Sequence, residues 1–341
     1  MMLQFLGMLA AIGLTAMCWG MYGPVLHVGR EDMHSPLRPF VCVGIAYFVI
    51  AVLVPALLLL KGEKGAWTTK GVVWSLLAGV AGACGALGVI LALHFGGKPI
   101  YVMPLVFGGA PVINTLLTAA MNKSFDQLKA PFLAGLLLVI TGAVTVLVFK
   151  PQTPPPRPVA AATEAAEVAA PAKPTVEAKA ERLVAVLASI ALAMLSWGSY
   201  GPVLHRGQAG MQGSRLRPLI CIGVSYFLIA VLVPLALLVP LGDTGQWSTN
   251  GVLWSLGAGS LGALGALGTI LAFTLGGKPF TVMPVVFGCA PVINTLTTLA
   301  MHEARLDSVS PFFLAGMLVV AAGAATVLAF GPRGHAPAKP A

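Results

Sequence analysis

The chain has 341 residues, 57% of them hydrophobic and only 9% charged, with a formal net charge of +9. Soluble domains carry about 25% charged residues, so most of this surface belongs in lipid, not in water. The basic residues are scattered through short loops without interleaved aromatics, which fits a membrane-orientation signal and argues against a nucleic-acid partner.

A hydrocarbon core about 30 Å thick needs roughly 20 apolar residues of helix. The first such run covers 3–27. Its Cys18 follows a bulky Met17, so the run reads as a retained helix, not a cleaved signal. Runs at 37–60 and 71–95 follow, with Trp67 placed as an interface anchor between them. The third run carries Gly79, Gly82, Gly85 and Gly88, a small-residue stripe for close helix packing, with a hinge as the alternative. Gly96-Gly97-Lys98-Pro99 then makes a tight hairpin into 99–121, and 131–149 completes a membrane unit over residues 1–150. Residues 151–182 hold Pro154-Pro155-Pro156, then Ala, Glu and Lys. They cannot bury enough surface to offset their ordering entropy and read as a linker. Five more runs at 183–205, 217–240, 251–275, 279–301 and 311–330 build a second unit over 183–332, and 333–341 is a short basic tail. The five cysteines lie in apolar runs without metal-ligand spacing, so they read as small buried residues, with no metal or cofactor implied.

The two units are copies. Trp19-Gly20-Met21-Tyr22-Gly23-Pro24-Val25-Leu26-His27 returns as Trp197-Gly198-Ser199-Tyr200-Gly201-Pro202-Val203-Leu204-His205. Leu37-Arg38-Pro39, Tyr47-Phe48, Trp67, Trp74 and the run from Lys98 to Thr115 all return, and the offset drifts only from 178 to 180. Five spans is an odd number, so the second copy enters the membrane inverted. Lys and Arg favour the cytoplasmic side. With both termini cytoplasmic, the second unit places Arg206, Arg215, Arg217, Lys278, Arg333 and Lys339 inside, against Arg305 outside. The first unit agrees more weakly, with Lys61, Lys64, Lys70, Lys123 and Lys129 inside against Arg30, Arg38 and Lys98. Inverted repeats let two bundles rock about a central site between states of similar energy.

Two five-helix repeats, with Trp19-Gly20 and Trp197-Gly198 in the first helices and Ala-Pro-Val at the centre of Pro104–Thr118 and Pro284–Thr298, resemble the drug/metabolite transporter superfamily of EamA type. That resemblance covers the chain outside the linker and implies a transporter. The family's acidic residue after the fourth helix falls at Met301-His302-Glu303, while Met121-Asn122-Lys123 departs from the pattern.

All eleven acidic residues fall in loops, linker or tail. The usual intramembrane carboxylate relay is therefore missing, and the absence of HExxH and GxSxG argues against an enzyme. His27 and His205, each expected at the end of a first helix, are candidate coupling groups for protons, with interfacial histidines as the alternative. Pro24, Pro202, Pro111 and Pro291 are candidate helix breaks or hinges lining a cavity. Asn114 with Thr118, and Asn294 with Thr298, make one polar face each, for solute or for interhelical bonding. Trp19, Tyr22, Trp197 and Tyr200 are candidate solute-binding residues, with packing as the alternative, and Tyr22, Tyr200, Tyr47 and Tyr226 could stack on a ring. The expectation is an all-α integral membrane protein of ten transmembrane helices in two inverted-topology five-helix repeats. It would be a secondary transporter of a small neutral or zwitterionic solute, such as a sugar, amino acid or nucleoside, in the cytoplasmic membrane. The alternative is a non-transporting scaffold or sensor with a carrier-like fold.

Overall fold

The computed structural model describes residues 2–97, 99–149, 176–240, 242–301 and 310–332. Lys98, most of the linker, the His302-Glu303 pair, Arg305 and the tail lie outside the described residues. Among the described residues the chain is all-α, with ten helices long and apolar enough to cross a membrane. They are α1 Met2–Met33, α2 Leu37–Leu59, α3 Thr69–His94, α4 Pro99–Asn122, α5 Ala130–Val148, α6 Val176–Gly210, α7 Leu216–Leu238, α8 Thr249–Thr274, α9 Pro279–Met301 and α10 Pro311–Phe330. Large apolar side chains such as Leu137 (64% exposed) and Leu318 (73%) face outward. Only lipid makes that arrangement favourable, so the protein is a multi-pass membrane protein.

Helix ends follow local chemistry. Thr68 and Ser248 cap α3 and α8 by accepting from the backbone N–H groups of Gly71 and Gly251, both at 3.0 Å. The same helices stop at Gly96 and Gly276, whose φ of +95° and +94° suits glycine, and Gly97 and Gly277 donate back to Ala92 and Ala272 at 2.9 Å. Two expectations are corrected here. His27 and His205 do not end their helices: α1 runs on to Met33 and α6 to Gly210, because Gly29 and Gly207 seat that extension directly on Ser255 and Ser75. Nor do the prolines break helices, since α1, α4, α6 and α9 continue through Pro24, Pro111, Pro202 and Pro291. A proline removes one backbone donor, and tight packing on both sides holds the remaining turns together.

The dominant packing is between copies. α1 runs antiparallel to α8, Trp19 meeting Gly262 and Gly29 meeting Ser255. α6 runs antiparallel to α3 in the same way, Trp197 meeting Gly82 and Gly207 meeting Ser75. Equivalent helices also meet each other. A Cβ built on Gly142 of α5 would lie 2.6 Å from Val320 N of α10, and one on Gly323 would lie 2.6 Å from Val139 N. In α2 and α7, Cβ atoms built on Gly44 and Gly223 would lie 3.0 Å from the Cβ atoms of Ala230 and Ala51. Both α2 and α7 widen to π-helix, over Val49–Leu53 and Phe227–Leu232, just before Pro55 and Pro234. The proline ring would clash with the carbonyl four residues back, and the wider turn relieves that contact.

Candidate functional site

The glycines of α3 and α8 do more than bring backbones close. Two in each helix, Gly82 and Gly85 in α3 and Gly262 and Gly265 in α8, seat aromatic side chains of the other copy. A Cβ on Gly82 would lie 2.9 Å from Tyr226 Cε2, and one on Gly262 would lie 2.7 Å from Tyr47 Cε2. Gly85 and Gly265 seat the indoles of Trp197 and Trp19. The indole N–H of Trp19 donates to the Gly262 carbonyl at 3.2 Å, and that of Trp197 donates to the Gly82 carbonyl at 3.1 Å. With their polar edges bonded to helix backbone, the indoles are fixed in orientation and turn their apolar faces elsewhere.

What they face is a cavity between the copies. Trp19, Tyr22, Tyr47 and Phe107 line it from the first copy, and Trp197, Tyr200, Tyr226 and Phe287 from the second. Tyr47 and Tyr226 stack with centroids 3.7 Å apart and ring planes parallel. Trp19 meets Tyr200 edge-on at 5.6 Å, and Phe107 meets Phe287 edge-on at 6.3 Å. No Asp, Glu, Lys, Arg or His is among its lining residues. The Tyr200 hydroxyl is buried without a protein partner among the described residues. The cavity has a volume of about 70 Å³, room for a few waters.

The expected site residues divide between this cavity and its ends. Trp19, Tyr22, Trp197 and Tyr200 line it; Asn114, Asn294, Thr118 and Thr298 are not among its lining residues. Asn114 is fully buried, and its Nδ2 donates to the Pro279 carbonyl at 2.8 Å, bridging α4 to α9. Asn294 is half-buried against Gly23. Thr118 and Thr298 donate to their own helix at the Asn114 and Asn294 carbonyls, at 2.6 and 2.8 Å. His27 lies at the mouth of a shallow groove with Arg30, Glu31 and His34, its Nε2 3.2 Å from Glu31 Oε1. His205 instead packs edge-on to Phe273 at 5.2 Å. Phe107 and Phe287 escaped the sequence reading, although their common offset of 180 inside the repeated fourth-helix run marks them.

No family model matches the chain, and no curated protein does. Solved structures do match. One, described only as "Crystal structure of protein", superposes with a TM-score of 0.63 over 97% of this chain and 98% of that one, at 17% identity. The likeness is one of fold alone.

Proposed function

We propose that the protein is a secondary transporter that moves a small neutral or zwitterionic solute bearing a flat ring, such as a nucleoside or an aromatic amino acid, by alternating access. The observation that carries this is the uncharged aromatic cavity built half from each copy. Aromatic faces favour a ring, and an apolar site without fixed charge disfavours a net ion. In this proposal the copies sit inverted across the cytoplasmic membrane, with both termini cytoplasmic. The antiparallel contacts of α2 with α7 and α5 with α10 support that arrangement, as does the bias of Lys and Arg among the loops. The resemblance to EamA-type drug/metabolite transporters points the same way.

The test is uptake into proteoliposomes across a panel of ring-bearing and ring-free neutral solutes, with and without a pH gradient. Ring-bearing solutes should enter, and Trp19→Ala or Trp197→Ala should lower their uptake while the protein still inserts. A gradient effect removed by His27→Gln or His205→Gln would assign proton coupling to those side chains. No uptake of any solute would favour the scaffold.

A further inference from the structure

The loop after each second helix reaches across to the other copy. Glu63, its side chain 7% exposed, accepts from Ser214 Oγ at 2.6 Å and from the backbone N–H groups of Arg215 and Leu216 at 2.8 and 3.3 Å. Arg217 reaches the same carboxylate at 3.4 Å and lies over the Trp67 ring. Ala66 N donates to the Met211 carbonyl, and Thr68 Oγ1 to that of Gly210 at 2.7 Å. The second copy repeats this. Asp243, 5% exposed, accepts from Ser35 Oγ at 2.5 Å and Arg38 Nε at 2.9 Å. Arg38 lies over Trp247, and Gln246 N donates to the Met33 carbonyl at 3.0 Å.

Glu63 follows the end of α2 and grips the start of α7; Asp243 follows the end of α7 and grips the start of α2. The pair is thus fastened at both ends, with Gly44 on Ala230, Gly223 on Ala51 and Tyr47 on Tyr226 between. A near-buried carboxylate with an arginine and several donors is hard to release, because opening it breaks several charge-assisted bonds at once. The end bearing His27 makes the same point. His27 is 53% exposed in an open groove there, yet the Asp243 fastening at that same end is intact.

We propose that α2 and α7 form a fixed strut between the copies, and that the passage opens by movement of the other helices around it; this rests on the transport proposal above. The test uses the full chain with its five native cysteines replaced by alanine. Glu63→Cys with Ser214→Cys, and Asp243→Cys with Ser35→Cys, are bridged by a short bis-methanethiosulfonate, which forms disulfide links that reduction cleaves. With both ends bridged, uptake should keep at least about half its unbridged rate, because the gating motion lies elsewhere. Uptake abolished by bridging and restored by reduction would overturn the strut and make these fastenings gates. A second measurement needs no flux: spin labels at Leu60 and Gln212, and at Val239 and His34, all exposed. Each pair should give one narrow distance, unchanged by solute or pH, and two populated distances at either end would overturn the proposal. If the native chain moves no solute, the transport proposal fails while the label distances still decide the strut.

Discussion

The ends of α1 and α6 carry nearly the same nine residues and sit in different surroundings. At the α6 end, His205 packs on Phe273 and Arg206 reaches the Met121 carbonyl while lying over Trp74. Gln208 Nε2 donates to the Ile270 carbonyl at 3.2 Å and to Thr274 Oγ1 at 2.8 Å. Asn114 bonds the Pro279 carbonyl nearby. At the α1 end the matching positions are Val28 for Arg206, Arg30 for Gln208 and His94 for Thr274. There His27 and Glu31 pair at the surface beside an open groove. The repeated motif therefore fixes the aromatic centre, while the residues just outside it decide how firmly each end is bonded.

The centre should behave alike in both copies. Gly85→Ala and Gly265→Ala each push a methyl into an indole, and overpacking of this kind costs about 1–3 kcal/mol. Matched losses in thermal unfolding in detergent would bear out the symmetric centre, and a one-sided loss would break it. The ends should differ. Asn114→Leu removes the bond to the Pro279 carbonyl and should cost about 1 kcal/mol, whereas Asn294→Leu should cost about half that. Gln208→Leu should cost about 1 kcal/mol by the same measurement, and Arg30→Leu should stay within about 0.5 kcal/mol. Equal values at Gln208 and Arg30 would remove the distinction between the ends.

Acid should act on both ends together, and least near neutrality. Burial pushes the Glu63 and Asp243 carboxyls up, but hydrogen bonds from Ser214 and Ser35, from backbone N–H groups and from arginine outweigh it and hold both below their ordinary values. A lowered carboxylate pKa gives stability that is present at neutral pH and lost as pH falls through the folded value, which for both groups lies below its ordinary one. The unfolding midpoint should drop there, and Glu63→Gln with Asp243→Asn should flatten that drop.

Much of the fold is written in hydropathy, since the spans begin and end within a few residues of the apolar runs. The exceptions have physical causes. Arg30, Glu31 and Asp32 end the apolar run without ending the helix, because charge at a membrane surface does not break backbone hydrogen bonds. α6 likewise begins at Val176, inside the segment read as linker. The stripe at Gly79–Gly88 showed that something packs closely on α3, but not that Trp197 and Tyr226 of the other copy do so; spacing carries no record of a partner distant in sequence. The same limit hid the reach of Glu63 to Arg217. Trp19 and Tyr200 were legible as candidates because large amphipathic aromatics inside a span are conspicuous, and they line the cavity; Asn114 was equally conspicuous and bridges two helices.

Because every indole of the cavity rests on a glycine borrowed from the other copy, neither five-helix unit holds a finished cavity wall. Produced as separate polypeptides, the units would have to find each other in the bilayer before the cavity could form. A change that suits one unit is thus screened at once by its counterpart, which ties the later history of the duplicated segments together.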